Sequence, residues 1–199
     1  MASPRRIGAP DAKNRTVLLD AAEALMLEEG YAAVTSRKVA SRAGLKWQLV
    51  HYYFRTMDDL FLAMFQRRAE EGLQRQAQAL ASRQPFRALW AFSMEPDAVA
   101  LTNEFMALSN HRKPIRAEIA RYAEKFRAAE IEAMALLCER YGISADEWPP
   151  PVLAVMMSSI SRVIVMEEAL GMDGGHRETL AFVEHYLEEF EPSTRPETR

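Results

Sequence analysis

Residues 35–61 read TSRKVASRAGLKWQLVHYYFRTMDDLF, and this stretch predicts two short helices separated by a glycine. Thr35 can cap a first helix that runs to about Ala43, Gly44 breaks the chain, and a second helix covers roughly 46–53. Two short helices joined by a glycine turn are typical of a helix-turn-helix, whose second helix enters the DNA major groove. The same pattern also occurs in ordinary helical bundles. The direction in which the side chains face therefore has to distinguish a DNA-binding motif from plain helix packing.

The side chains of these two helices divide into an inward set and an outward set. The inward set is apolar and can form one small core: Val39, Ala40, Ala43, Leu45, Val50 and Phe54. The outward set is predicted to contact DNA: Thr35, Ser36, Arg37, Lys46, Trp47, Gln48, Leu49, His51, Tyr52 and Arg55. The alternatives are that Trp47 packs against the first helix of the chain and that His51 is an ordinary surface or core histidine.

The outward set contains both kinds of group that reading a duplex requires. Gln48 can pair bidentately with adenine, and Trp47 or Leu49 can contact thymine methyl groups. The donors to phosphate are expected to be Thr35, Ser36, Arg37, Tyr52 and Arg55. The second helix is therefore predicted to read the bases, while the residues around it bind the phosphate backbone of the DNA.

The whole stretch resembles the DNA-binding domain of the TetR family of bacterial repressors. Its family pattern is T-x-x-x-[IV]-A-x-x-A-G-[VL], then a recognition helix ending in Y-x-[HY]-F and a capped fourth helix. The matching residues are Thr35, Val39, Ala40, Ala43, Gly44, Leu45, Tyr53 and Phe54, with Leu60 beginning the apolar stripe of the fourth helix. The resemblance implies a DNA-binding head followed by a helical body that binds a ligand and dimerises.

The chain departs from this pattern at four positions. Lys46 stands where the family commonly has serine, Gln48 where it has glycine, His51 where it has tyrosine and Met57 where it often has lysine. Losing the tyrosine and the lysine removes two habitual phosphate contacts, of which Lys46 is expected to replace one. The bulkier Gln48 either holds its helix further from the groove or reads a base itself.

The rest of the chain predicts helices only, because no sustained period-two alternation of apolar residues occurs. We predict an all-α fold of about nine helices. Residues 1–56 are expected to form a three-helix DNA-binding helix-turn-helix domain, residues 57–191 a ligand-binding and dimerisation domain, and residues 192–199 a disordered tail.

Charge is distributed unevenly along the chain. The net charge of the 199 residues is −3, but residues 1–57 carry nine Lys and Arg against five Asp and Glu. A basic head on an acidic body points to a local polyanion site, here double-stranded DNA. Chance clustering of charge is the alternative explanation.

The composition favours a cytoplasmic protein without a membrane partner. Cys138 is the only cysteine, so no disulfide can form within the chain and a reducing compartment is favoured. The most apolar stretch, at 151–166, falls short of the roughly 20 residues that a bilayer span needs. It is predicted to be a buried helix.

Aromatic and methionine side chains in the second domain predict an apolar ligand pocket. Its expected lining is Trp90, Phe92, Phe105, Met106, His111, Tyr122, Phe126, Met156 and Met157, with Met94 and Met134 belonging to the same apolar set. The alternative is that these side chains form an ordinary core.

The last two helices predict a homodimer. The segment at 152–166 is apolar nearly all the way around, and its serines at 158, 159 and 161 permit close approach of a partner helix. A second stripe follows on the last helix: Leu180, Val183, Leu187 and Phe190. A dimer would carry two reading heads about 34–36 Å apart, as a palindromic operator requires. Alternatively, both helices are buried within their own domain.

Other classes of protein find less support. Cys138 has no histidine nearby in sequence to activate it, and His176 and His185 fall on opposite faces of one helix, so neither an enzyme nor a metal site is expected. No cofactor is expected either. A DNA-binding dimer controlled by a protein partner, or without any effector, is the main alternative to a ligand-released repressor.

Overall fold

The computed structural model describes residues 13–192, so the predicted tail lies outside the described residues apart from Pro192. Within that range the chain folds into nine α-helices and one short 3-10 helix, without strands, which confirms the all-α prediction. The helices are α1 Lys13–Glu29, α2 Ser36–Arg42, α3 Gln48–Tyr53, α4 Met57–Leu80, α5 Pro85–Ser93, α6 Pro96–Ser109, α7 Lys113–Tyr141, α8 Pro150–Ala169 and α9 His176–Phe190.

Local signals in the sequence set the ends of the first four helices. Thr35 caps α2 by accepting a hydrogen bond from the backbone N–H of Lys38. Gly44 has φ of +65°, a conformation that other residues rarely adopt, and it turns the chain between α2 and α3. Thr56 and Asp59 form the predicted capping box at the start of α4, with reciprocal bonds of 3.0 and 3.1 Å.

Replacing Thr56 with alanine should lower the free energy of unfolding by about 0.5–2 kcal/mol, because the backbone N–H of Asp59 loses its acceptor. Thr56→Ser keeps the hydroxyl oxygen and should retain most of the stability. Urea denaturation of the two variants beside the wild type measures the difference. Equal losses in both variants would contradict a capping role for the hydroxyl.

A first compact unit comprises the described residues up to Glu71 together with Ala100–Tyr122. One apolar cluster fills it and joins α1, α2, α3 and the first half of α4 to parts of α6 and α7. Its largest fully buried members are Leu18, Leu19, Met26, Leu60, Met64, Leu108 and Ile115. The predicted small core of the helix-turn-helix is part of this cluster, with Val39, Ala40, Val50 and Phe54 buried and Ala43 and Leu45 partly buried.

A second compact unit comprises Gly72–Val99 and the described residues from Ala123 onward. Its cluster joins α5, α7, α8 and α9 through Phe86, Leu89, Met134, Leu137, Ala154 and Leu187. The units are divisions by packing, whereas the predicted boundary after residue 56 separates functions. That boundary therefore stays a prediction.

A buried carboxylate ties the end of α9 to the start of α5 within the second unit. Glu191 is only 3% exposed, and its carboxylate accepts hydrogen bonds from the backbone N–H groups of Phe86 and Arg87 at 2.9 and 3.0 Å. The hydroxyl of Tyr141 donates a third bond at 2.9 Å. The first N–H groups of a helix have no partner inside the helix, so Glu191 supplies the missing acceptor for α5.

No helix among residues 13–192 is long and apolar enough to span a membrane.

Candidate nucleic-acid interface and apolar cavity

The α2–α3 pair presents a polar and aromatic surface. Seven of the predicted contact residues are exposed: Thr35, Arg37, Lys46, Trp47, Gln48, Tyr52 and Arg55. Ser36, Leu49 and His51 are half-buried. The structure thus brings all ten predicted residues together on two short helices and their turns; their contact with DNA stays a prediction.

Trp47 is 50% exposed and lies immediately before α3. Its ring meets the ring of His51 edge-on, with 5.8 Å between the centroids. This exposure does not favour the alternative that Trp47 packs against α1. Trp47 and Gln48 also border a shallow depression in this surface with Arg37, Ser41 and Lys46. An exposed tryptophan in a well-packed head leaves a large apolar surface for a partner to cover.

The cations of this surface fall into two groups. Lys38 is paired with Glu29 at 2.5 Å, and Arg42 donates two hydrogen bonds to Glu28. The hydrogen bond from Arg42 lowers the pKa of Glu28, so that carboxylate stays charged and keeps its partner neutralised.

In contrast, no acidic side chain among residues 13–192 pairs with Arg37, Lys46 or Arg55. These three cations are exposed and available to an anion. The charge that this surface offers is thus concentrated beside Trp47 and Gln48 rather than spread along α2.

The second unit contains an apolar cavity of about 120 Å³ that is open on one side. Helices α5, α7, α8 and α9 and the segment before α8 contribute its walls. The lining residues are Phe86, Trp90, Met134, Ile143, Trp148, Leu153, Met156, Met157, Ile160, Phe182, Val183, Tyr186, Leu187 and Phe190. None of these side chains is charged, and six are aromatic.

Of the nine residues predicted to line a ligand pocket, Trp90, Met156 and Met157 line this cavity. The other six lie elsewhere: Phe92, Phe105, Met106, His111, Tyr122 and Phe126. Phe105 and Tyr122 are buried in the first unit, where each ring meets Phe65 edge-on. Met106 and His111 are exposed. Helical periodicity indicates which face of a helix is apolar but not which neighbouring helix packs against it. This is why the predicted and the observed lining residues differ.

The remaining two pocket candidates have other partners within the second unit. The Phe126 ring lies 3.0 Å from the position that a Cβ on Gly72 would occupy, so it fills the space of the missing side chain. The Phe92 ring lies under the guanidinium of Arg75, 5.5 Å from its carbon to the ring centroid.

The sequence prediction missed the aromatic wall that α9 contributes. Phe182, Tyr186 and Phe190 follow one another at intervals of four, which places them on one helix face. Tyr186 contacts both of its neighbours on that face, and Trp148 meets it edge-on at 5.7 Å. This interval of four residues is the sequence signal from which the aromatic wall can be predicted.

The surface of α8 differs from the predicted dimer stripes. Ser161 and Leu187 are buried within the second unit, and Val183 and Phe190 are half-buried and line the cavity. The exposed apolar face consists of Val152, Val155, Met156, Val163 and Met166 of α8, Leu170 directly after that helix, and Phe182 of α9. We call this set the α8 face.

Residues 18–64 match the family described as bacterial regulatory proteins, tetR family. No curated protein matches the chain significantly. Several solved structures share the fold, among them the following three. A transcriptional regulator from Rhodococcus sp. Rha1 is 19% identical, with 91% of this chain and 99% of that one covered and a TM-score of 0.67. A TetR transcription regulator from Haloarcula marismortui is 16% identical, with 89% and 97% covered and a TM-score of 0.68.

The third is a proposed transcriptional regulator from Saccharomonospora viridis, solved in complex with choline. It is 17% identical to this chain, with 90% of this chain and 96% of that one covered and a TM-score of 0.69. At these identities the similarity establishes the fold alone.

Proposed function

We propose that this chain, whose residues 18–64 match the tetR family of bacterial regulatory proteins, is a homodimeric repressor that leaves its operator when a small, largely apolar ligand binds. The match at residues 18–64 supports the DNA-binding and regulatory part of this proposal. The observation that carries the proposal is the exposed surface of α2 and α3, where Trp47 and Gln48 lie next to Lys46, which has no acidic partner among residues 13–192. A cytoplasmic location and the lack of enzymatic activity belong to the same proposal.

Operator recognition is assigned to the start of α3. Gln48 is exposed and can pair with an adenine edge, and Trp47 offers its apolar ring to a thymine methyl group. Arg37, Lys46 and Arg55 supply charge for the phosphates on either side. Base-reading groups flanked by free cations are the arrangement that a major-groove reader needs.

The dimer is assigned to the α8 face. From Val152 to Leu170 this face is about 27 Å long, at about 1.5 Å per residue. Large exposed apolar patches on a monomer mark interaction sites. A two-fold dimer repeats the same patch on both subunits, and its two reading heads match a palindromic operator.

The ligand is assigned to the apolar cavity of the second unit. The cavity is lined by uncharged side chains, six of them aromatic, so the enclosed part of the ligand should be largely apolar. The volume is about 120 Å³, against roughly 150 Å³ for an engineered cavity that binds benzene. The choline found in the Saccharomonospora viridis protein supports a small-molecule site in this fold.

Release from DNA would follow if the ligand favours a head spacing that does not fit the operator. Helix α4 begins in the first unit and ends in the second. It is therefore a direct covalent connection through which ligand binding in the second unit would change the spacing of the heads. A coupling of about 1–3 kcal/mol would change operator affinity roughly 5–150-fold. The main alternative is a DNA-binding dimer controlled by a protein partner; the open cavity favours a small ligand over it.

The test is recovery of genomic DNA fragments at physiological salt by the wild type and by a Trp47→Ala, Gln48→Ala double variant. The wild type should recover a palindromic site and the double variant only scattered fragments, because base readout is lost. Gln78→Ala, which removes an exposed glutamine of α4 outside the helix-turn-helix, is the matched control. Random fragments from both wild type and double variant would contradict readout by α3.

A second prediction separates the free cations from the paired ones. Lys46→Ala should weaken binding to all DNA sequences and reduce the slope of log K against log salt by about one unit per contact. The reason is that the substitution removes a cation that contacts a DNA phosphate. Lys38→Ala is the matched control, since the Lys38 ammonium is already neutralised by Glu29. Filter binding or anisotropy between 50 and 200 mM salt, about the range over which such slopes are read, measures both. Equal slopes in the two variants would refute the distinction.

A further inference from the structure

The half-exposed ring of Trp47 is held by a second ring one helical turn further along α3. Trp47 has φ of −59° and ψ of −27°, and its carbonyl accepts the backbone N–H of Val50 at 3.1 Å, so its backbone already follows the helix. His51 comes four residues later, which places it on the same face. The two rings meet edge-on at an interplanar angle of 80°. The histidine therefore restricts the orientation of the tryptophan ring.

The surroundings of His51 favour this packing role over a polar one. His51 is half-buried, and in the part of the chain between positions 13 and 192 its imidazole forms no hydrogen bond or ion pair. Side chains of a helix lean toward its N-terminal turn, which directs His51 at Trp47. The alternative is that the imidazole contacts a DNA phosphate itself.

Restricting the tryptophan ring before DNA arrives has a consequence for base reading. A tryptophan without a neighbour on the surface exchanges between rotamers, and binding then has to select one of them. An edge-on aromatic pair favours its own arrangement by about 2- to 13-fold. Contact with a thymine methyl group requires the apolar ring in one place in the groove, so a ring that is already placed there binds the methyl group at a smaller entropic cost.

We infer that His51 positions Trp47 to read a thymine methyl group and does not itself contact a phosphate. The inference rests on the proposed function, which supplies the operator and the role of Trp47. The contribution of His51 to binding then depends on the methyl group that Trp47 contacts. A phosphate contact would contribute equally to a site with and without that methyl group.

The experiment removes the methyl group from the DNA and the ring from the protein, separately and together. The duplex that the full-length wild type recovers from genomic DNA is synthesised with each thymine in turn replaced by uracil, which lacks only the 5-methyl group. Losing one buried methyl group should weaken binding about 4-fold, or about 15-fold when both halves of a palindrome are changed. Fluorescence anisotropy measures the wild type, His51→Ala and His51→Phe on the thymine and uracil duplexes, and circular dichroism checks folding.

His51→Ala should bind the thymine duplex more weakly and lose most of its preference for the methyl group, because the Trp47 ring is released. His51→Phe should keep that preference, since a phenyl ring can pack edge-on but cannot donate to a phosphate. Tyr52→Ala is the matched control, because it removes a ring of the same helix that meets Tyr53 instead of Trp47. It should leave the methyl preference unchanged.

Equal losses of affinity on both duplexes, in His51→Ala or in His51→Phe, would indicate a phosphate contact and overturn the inference while the proposed function stands. If no uracil substitution weakens the wild type, Trp47 does not read a methyl group, and the inference falls with DNA binding intact. Failure of the wild type to recover any specific duplex would overturn the proposed operator recognition together with the inference. If His51→Ala does not fold, His51→Gln replaces it, because glutamine keeps polar groups but has no ring.

Discussion

Replacing Val163 with glutamate should lower operator affinity by about 100- to 10,000-fold, because one subunit then binds one half-site without the effective concentration that its partner provides. Val163 is 45% exposed in the middle of the α8 face. In a two-fold interface the substitution introduces two carboxylates, one from each copy, into apolar surroundings where neither has a partner. The dimer should dissociate while each subunit stays folded, since the substituted side chain is on the surface of the monomer.

Sedimentation and fluorescence anisotropy on a palindromic operator check this result. Leu136→Glu makes the same chemical change at a side chain that is 61% exposed on α7. It should leave both the dimer and operator binding intact. A Val163→Glu protein that remains dimeric with wild-type operator affinity would remove the α8 face from the proposed interface.

The parts of the fold that the sequence predicts well depend on local chemistry. Thr56 and Asp59 lie three residues apart and cap α4 with each other, so no distant contact is needed to specify that helix end. Gly44 similarly turns the chain by its own conformation. The helix-turn-helix and its outward residues follow from these signals because α2, α3 and the turn between them lie within a short length of chain.

The ligand cavity was harder to predict because its walls come from four helices that are distant in sequence. Phe105 and Trp90 look alike as aromatic residues on apolar helix faces, yet Phe105 is buried in the first unit and Trp90 lines the cavity of the second. Periodicity gives the direction of a side chain relative to its own helix axis only. Which neighbouring helix lies in that direction depends on the tertiary structure, which periodicity does not give.

Part of the predicted dimer stripe on α9 is covered within its own unit, which the sequence does not reveal for the same reason. Leu187 and Val183 form a regular apolar face, but α8 and α5 of the same unit already cover it. The surface left exposed is a different side of α9, where Phe182 lies. A helix that is apolar on one side must be covered, but the sequence does not say whether its own unit or a partner covers it.

Glu191→Ala should lower the free energy of unfolding by about 2–5 kcal/mol, which would be among the larger effects of a single substitution. The carboxylate accepts hydrogen bonds from Phe86, Arg87 and Tyr141 at a site that is 3% exposed. Each buried donor left without an acceptor costs roughly 1–3 kcal/mol, partly recovered where water enters the space. Urea denaturation measures the loss, and cavity binding should weaken with it because Phe86 and Phe190 line the cavity beside Glu191.

Glu188→Ala is the matched control for this substitution. It removes a carboxylate from the same helix, but that carboxylate is half-exposed and forms an ion pair at the surface with Arg87, at 2.6 Å. Exposed ion pairs contribute about 0–1 kcal/mol, so Glu188→Ala should change stability little. Glu191→Gln keeps one acceptor oxygen and should fall between the two. If Glu191→Ala were as mild as Glu188→Ala, the buried carboxylate would not hold α9 against α5, and helix packing alone would have to do so.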